Sequence, residues 1–268
     1  EINRIAKKHN LIVIADACQA HGALYKGRKA AAVTEMSTFS MNGLKNLQCG
    51  DGGLFNTDKL EYKAKANQVR IFGEIVSEDE PRDYNSRSVG YMYRLTEFSA
   101  AYARSRLIDL DRENEVRISN AEYLTKHLSG FEGIITPYIP EHSKSVYHHY
   151  RIRFDPERLG VKMPPRKLRA RIQKAMAAEG AQALRWQTRP VQKQTLFMQK
   201  NGYGRGCPWS CQFGHGGGME YAPHEYTETQ KILDDSIIFH DAIYPPNGIE
   251  LMEKYVAVFR KLWDNLDE

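Results

Sequence analysis

The stretch FSMNGLKNLQCGDGG (residues 39–53) decides how this chain is interpreted. It places a hydroxyl at Ser40 and an amine at Lys45, and it closes on a glycine-rich turn. Upstream, Asp16 follows the continuous apolar run LIVIA (residues 11–15), which is typical of a strand buried on both faces of a parallel sheet. A second strand is expected over residues 35–41 with Ser40 near its carboxyl end, so the acid and the hydroxyl would lie at neighbouring carboxyl ends. Ligands of open α/β sheets bind beyond that edge.

An amine, an acid and a hydroxyl in this order are three groups that a pyridoxal phosphate enzyme needs. Lys45 would form a Schiff base with the cofactor, Asp16 would keep the pyridine nitrogen protonated, and Ser40 would help to hold the phosphate. Each residue alone has an ordinary alternative: a turn or helix-capping aspartate, a strand-end serine and a surface lysine. The order and spacing of the three, with the glycine turn after them, favour the cofactor site.

Composition and charge restrict the class of protein. The 268 residues suffice for one large domain or two of ordinary size. The net charge of +5 comes without a dense basic run, so no nucleic-acid partner is expected. No apolar run approaches the length of a membrane span, so no membrane partner is expected either. Four cysteines in a chain of this length do not make a disulfide framework, which predicts a cytoplasmic protein.

The alternation of short apolar runs and turns predicts an α/β domain followed by a smaller α+β domain. The second and third strands would be antiparallel neighbours, because the link between them is too short for a crossover helix. Asp58 is expected to cap the helix that follows them. The predicted strands cover residues 11–15, 35–41, 53–57, 145–154 and 181–186. The predicted helices cover residues 59–70, 96–128 (with interruptions), 164–180, 227–240 and 249–266.

The first ten residues predict the last turns of an amphipathic helix that leads into a strand. The chain also lacks an initiator methionine. We therefore expect the sequence to enter a longer α/β domain midway.

Three segments together resemble the DegT/DnrJ/EryC1/StrS sugar aminotransferases. DACQAHGA (residues 16–23) resembles their acid-and-glutamine motif, residues 39–53 their Schiff-base segment, and GYMYRLTEF (residues 90–98) the motif that opens their connecting helix. The order and the gaps match. The resemblance implies an N-terminally truncated protein of fold type I. Part of its large domain, with a mixed and mostly parallel sheet and the connecting helix, would cover residues 1–111, and a small α+β domain would cover residues 112–268.

The resemblance also implies roles for single residues. Lys45 would carry pyridoxal 5'-phosphate and move protons between substrate and cofactor carbons. Asp16 would hold the pyridine nitrogen, Gln19 would lie near the ring, and Ser40 would bind phosphate. A lysine rather than a histidine at position 45 implies transamination rather than the dehydratase branch of the family.

The implied reaction transfers an amino group from glutamate or glutamine to a keto-sugar or keto-cyclitol, in a homodimer. His21, Arg185 and Trp186 are candidate substrate residues. Met92 lies where family members often carry an asparagine that reaches the phosphate across the dimer interface, and methionine cannot donate that hydrogen bond. The missing front and Met92 favour an alternative, a non-catalytic or regulatory relative that binds the cofactor.

A zinc site is a further alternative. Cys207, Cys211, His215 and His224 superficially suit zinc. Their spacing fits no standard finger, and the surrounding glycine and proline equally suit a loop packed near the substrate. We therefore predict no metal site.

Overall fold

A computed structural model describes residues 1–77, 79–214, 219–222 and 226–266. The chain divides into two compact units. The first unit comprises Glu1–Ser119 and Tyr138–His148, and the second comprises Asn120–Pro137 and His149–Glu268. This division into units does not test the domain boundary that we predict after residue 111, which stays a prediction.

The described elements alternate helices with short strands, so the chain is of the mixed α/β class, as predicted. The α-helices are α1 (Ile2–Lys8), α2 (Leu60–Arg70), α3 (Glu97–Leu128), α4 (Pro165–Ala178), α5 (Thr195–Met198), α6 (Thr227–Asp235) and α7 (Ile249–Trp263). The strands are β1 (Ile14–Asp16), β2 (Leu24–Tyr25), β3 (Arg28–Lys29), β4 (Met36–Ser40), β5 (Gly53–Thr57), β6 (Ile134–Ile135), β7 (Ser143–Lys144), β8 (Tyr150–Phe154) and β9 (Ser236–Phe239). Within the described ranges, no helix is long and apolar enough to span a bilayer.

The first unit contains a mixed sheet of order β1-β4-β5. Strand β1 runs parallel to β4, and β4 runs antiparallel to β5, which confirms the predicted pairing of the second and third strands. The prediction of a fully buried first strand is wrong. Strand β1 begins at Ile14, and the side chains of Leu11 and Ile12 are 62% and 63% exposed. Among the described residues β1 pairs only with β4, so one edge of its apolar run faces solvent.

Two helix predictions also need correction. The predicted cap Asp58 does not cap α2, because Lys59 holds the N-cap position and its backbone N–H donates to the Thr57 hydroxyl at 3.2 Å. The predicted interruptions in the long helix are absent, and α3 runs continuously from Glu97 to Leu128. Its sequence contains neither glycine nor proline, so nothing in it breaks the backbone hydrogen bonds. The Thr96 hydroxyl accepts from the backbone N–H of Ser99 at its start.

A buried apolar cluster fixes the segment that contains Lys45 against helix α3. Met41, Leu47 and Cys49 come from that segment, and Ala103 and Leu110 come from the helix. Burial of this kind stabilises by about 25 cal/mol per Å² of apolar surface removed from water. The turn that presents Lys45 is therefore anchored on both sides of the lysine.

The second unit contains an antiparallel sheet of order β6-β8-β9. Strand β8 alternates buried and half-buried residues, with Tyr150, Ile152 and Phe154 inside. The predicted helix over residues 227–240 ends at Asp235 instead, because the apolar, β-branched run that follows forms β9 and is buried along its whole length.

Two predicted strands are shorter than expected or missing. The strand predicted over residues 145–154 begins only at Tyr150, since Tyr147 has a φ of 42° that a strand cannot accommodate. The strand predicted over residues 181–186 is absent apart from a bridge at Leu184. The backbone of Gln182 bonds the Tyr255 hydroxyl instead of a neighbouring strand.

Candidate active site

The parallel pairing of β1 and β4 brings the predicted acid and hydroxyl to one edge of the sheet. Asp16 is in register with Thr38, two residues before Ser40, and the residue after Asp16 donates a backbone hydrogen bond to the Thr38 carbonyl at 2.9 Å. Lys45 follows in a turn closed by a 2.9 Å hydrogen bond from its N–H to the Asn42 carbonyl. The lysine is half-buried, and within the described residues its ammonium group makes no ion pair or hydrogen bond.

Asp16 is exposed, and its surroundings favour the ionised carboxylate. Its carboxylate accepts the backbone N–H of Cys18 at 3.1 Å, so the turn aspartate weighed from the sequence is present. Hydrogen bonding to the Cys18 thiol, then to its backbone N–H, and the charge of nearby Lys45 lower the pKa of Asp16. An ionised carboxylate is what a protonated pyridine nitrogen requires.

Cys18 is a neighbour that sequence reasoning did not single out. Burial, the hydrogen bond to Asp16 and the negative charge of Asp16 raise the pKa of its thiol. Its position two residues after the acid, in an Asx turn, is the signal that could have found it.

The loop from Ser40 to Lys45 is held by its own polar groups. The Ser40 hydroxyl accepts the backbone N–H of Asn42 at 3.3 Å. The Asn42 side chain accepts the N–H of Leu44 at 3.2 Å and donates to Asp51 at 3.0 Å. The asparagine therefore fixes the path between the hydroxyl and the amine, while Gln19 presents an exposed amide from the first segment.

His21 is buried, with 3% of its surface exposed, and its ring lies 5.0 Å from that of Phe39. Burial, together with the charges of Lys45 and Arg117, lowers its pKa to about 4, although the backbone of Ser40 favours the protonated ring. Neither ring nitrogen makes a hydrogen bond of good geometry within the described residues. His21 is therefore a neutral imidazole, which lines a mostly apolar cavity of about 440 Å³.

A buried polar network supports the two segments, and sequence reasoning missed it. Asn114 on α3 donates to the carbonyl of His21 at 2.8 Å and accepts from Asn46 at 3.1 Å. Arg117 donates to the same oxygen of Asn114 at 3.1 Å. Asn46 also donates to the carbonyl of Val146 at 3.0 Å. The sequence does contain a signal for this network. Asn114 and Arg117 are polar residues three positions apart on a helix stripe that otherwise faces the core.

The other predicted residues lie elsewhere. Arg185 and Trp186 belong to the second unit, where the Trp186 ring lies 4.2 Å from that of His149. Their substrate role stays a prediction. Met92 is exposed in the first unit, and its backbone pairs with Ile71.

The zinc alternative loses two of its ligands. Cys207 and Cys211 form a disulfide with a Cα–Cα distance of 4.8 Å, so neither offers the thiolate that zinc binds. This bond also differs from the expectation that the cysteines are reduced. His215 and His224 lie outside the described residues.

Comparison with known families decides the relationship. The model of the DegT/DnrJ/EryC1/StrS aminotransferase family matches residues 1–216. This chain belongs to that family. The match covers all the segments on which the resemblance was based.

The curated relatives of this chain include proteins named as aminotransferases or transaminases and one named as a regulatory protein. L-glutamine:scyllo-inosose aminotransferase of Streptomyces griseus is 32% identical over 59% of the chain and 38% of its own length. The dTDP-3-amino-3,4,6-trideoxy-alpha-D-glucose transaminase of Streptomyces venezuelae is 33% identical over 57% of the chain and 39% of its own length. A pleiotropic regulatory protein of Geobacillus stearothermophilus is 36% identical over 57% of the chain and 40% of its own length. The chain thus spans roughly two fifths of these relatives.

Solved structures confirm the fold. The DesV structure from S. venezuelae, in complex with a ketimine intermediate, superposes with a TM-score of 0.79 at 23% identity over 98% of this chain and 61% of that chain. An aminotransferase of Psychrobacter cryohalolentis gives a TM-score of 0.78 at 20% identity over 100% of this chain and 65% of that chain. The mixed α/β architecture is that of part of a fold-type-I aminotransferase.

Proposed function

We propose that the protein containing this chain is a pyridoxal phosphate-dependent transaminase, with Lys45 as the lysine that binds the cofactor. It would transfer an amino group from glutamate or glutamine to a keto-sugar or keto-cyclitol. One observation carries the proposal: the parallel pairing of β1 with β4 brings Asp16 and the turn that holds Lys45 to the same carboxyl edge of the sheet.

The chemistry of this donor set fits the cofactor. When bound, pyridoxal phosphate supplies an electrophilic carbon and an electron-withdrawing ring. Asp16 would hold the proton on the ring nitrogen, and Ser40 would donate a hydrogen bond to the phosphate. Gln19 would place its exposed amide near the ring. Lys45 Nζ would attach to the cofactor and later carry the proton that leaves the α-carbon of the amino donor.

The substrate side of the proposal rests on the names of the relatives. One relative is named for glutamine and scyllo-inosose, and another for a dTDP-amino sugar. We assign His21, Arg185 and Trp186 to substrate binding, and we assign the protein to the cytoplasm as a homodimer. These assignments extend the family relationship to the substrates, the location and the assembly.

A regulatory relative that binds the cofactor without turnover is the second candidate. A relative with a regulatory name is 36% identical to this chain, and Met92 cannot donate a hydrogen bond to a phosphate. The two candidates predict different behaviour of the cofactor once an amino donor is added.

Absorbance spectroscopy of the full-length protein with pyridoxal phosphate tests both candidates. Covalent attachment at Lys45 gives a visible band that is lost on borohydride reduction, which leaves the cofactor irreversibly attached to the protein, and Lys45→Ala removes the band. The exposed Lys65 on α2 supplies the matched control, Lys65→Ala. Loss of the band on adding glutamate or glutamine supports amino transfer. A band that persists supports the regulatory candidate, and no band in the unmutated protein refutes the cofactor hypothesis.

A further inference from the structure

We propose that Asn114 and Asn46 are positioning residues that hold the Lys45 segment and the Asp16 segment in fixed register. The proposal rests on the proposed function, because it names what sets the place of the amine relative to the acid. Asn46 follows Lys45 directly, and His21 lies in the segment that begins at Asp16. Asn114 binds both.

The contacts make Asn114 a bridge. Its Nδ2 donates to the carbonyl of His21 at 2.8 Å, and its Oδ1 accepts from Nδ2 of Asn46 at 3.1 Å. Asn46 uses its other N–H for the carbonyl of Val146 at 3.0 Å. Asn46 and Asn114 are 2% and 3% exposed, so water does not compete for these bonds.

Neighbouring charges fix which way the two amides face. Arg117 can only donate, so the Asn114 atom that it contacts at 3.1 Å is the oxygen, and the nitrogen must face His21. Val146 offers only a carbonyl, so the Asn46 atom facing it is the nitrogen. Glu113 lies 3.7 Å from this guanidinium and also accepts hydrogen bonds from Arg106 at 2.6 Å. The orientation of the network is therefore determined by chemistry.

The bridge acts on Lys45 through the backbone, in addition to the apolar cluster that anchors the turn. The ammonium group of Lys45 makes no ion pair or hydrogen bond within the described residues, so its position depends on its backbone. Contact with the other segment is equally tight, since a Cβ on Gly22 would lie 2.6 Å from Nδ2 of Asn114. A shift of Asn46 would move the amine relative to Asp16.

Substitutions of asparagine by aspartate test the positioning role, because they replace an amide with a carboxylate and change the shape of the side chain little. Asn46→Asp places carboxylate oxygens against the two oxygens that Asn46 now serves. Asn114→Asp keeps both accepted hydrogen bonds and replaces the one to His21 with a carboxylate oxygen that faces the His21 carbonyl. Asn120→Asp is the matched control, because Asn120 lies on the same helix, is 1% exposed and donates to the carbonyls of Ile243 and Asn247 at 3.1 and 3.0 Å in the second unit.

Two readouts in the full-length protein decide the matter. In Asn46→Asp and Asn114→Asp we expect kcat for amino transfer to fall about 10- to 100-fold while KM for the amino donor changes less than about threefold. Backbone hydrogen exchange of residues 40–50 should accelerate in the same variants. Asn120→Asp should change neither, at a comparable loss of thermal stability.

The outcomes separate the two proposals. If both variants match Asn120→Asp in kcat and in exchange, the positioning role is wrong. If the unmutated protein shows no visible cofactor band that is lost on borohydride reduction, the proposed function fails, and hydrogen exchange still decides whether the two asparagines anchor the segment. If Asn46→Asp does not fold, Asn114→Asp alone gives the same comparison.

Discussion

Acidification should destabilise the protein through His21. Its pKa is 6.5 as a free side chain and about 4 in the folded chain, so between these values the unfolded state binds more protons. Folding stability therefore falls as pH falls through this window. At pH 5 the expected penalty is about 2 kcal/mol relative to pH 7, from about 1.4 kcal/mol per pKa unit. The physical cause is burial without a good hydrogen-bond acceptor.

The measurement compares urea unfolding of the unmutated protein and His21→Phe at pH 7 and pH 5. Phenylalanine keeps an aromatic ring beside Phe39 and the apolar cavity and has no group that titrates. The unmutated protein should lose about 2 kcal/mol more than the variant on acidification. His9→Gln, at an exposed position, is the matched control. Equal losses in the unmutated protein and His21→Phe would refute the reasoning.

Three further predictions concern stability, each measured as the free energy of unfolding in urea. Asp235→Asn should cost about 2 kcal/mol, because it weakens the buried bidentate pair with Arg153 at 2.9 and 2.6 Å; a cost near zero would contradict this. Gly73→Ala should cost about 3 kcal/mol or more, since its Cβ would lie 1.8 Å from a carbonyl oxygen, whereas Gly27→Ala, with a similar positive φ and open space, should cost about 1 kcal/mol. Ile152→Ala should cost about 4 kcal/mol because the side chain is fully buried, and a loss below about 1 kcal/mol would contradict that packing.

Local signals predicted the edge of the sheet that carries the site. The turn before β5 and the antiparallel pairing of β4 with β5 follow from glycine positions and the length of the link. Ser40 and Asp16 occupy predicted strand ends because a strand's end depends on a few neighbouring residues. The functional roles of these residues stay predictions.

Distant contacts explain what could not be predicted. Asn114 contacts residues 68 and 93 positions away, and its place on the core-facing stripe of α3 does not identify these partners. From the sequence alone, the four residues of β9 fit the end of a helix. Only their pairing with β8 identifies them as a strand. Residues 181–186 have strand-like composition, but a single tyrosine hydroxyl takes the backbone groups of Gln182.

The hydrogen bond between Asp16 and Cys18 has a consequence for chemical selectivity. A keto-sugar and an aldehyde cofactor are electrophiles, and a thiolate beside them would compete with the amine of Lys45. Burial raises the pKa of the Cys18 thiol, and the hydrogen bond to Asp16 and its negative charge raise this pKa further, so the thiol stays protonated. A protonated thiol is a weak nucleophile, so the amine of Lys45 meets little competition at this edge, and the nearby sulfur is a poor target for oxidants.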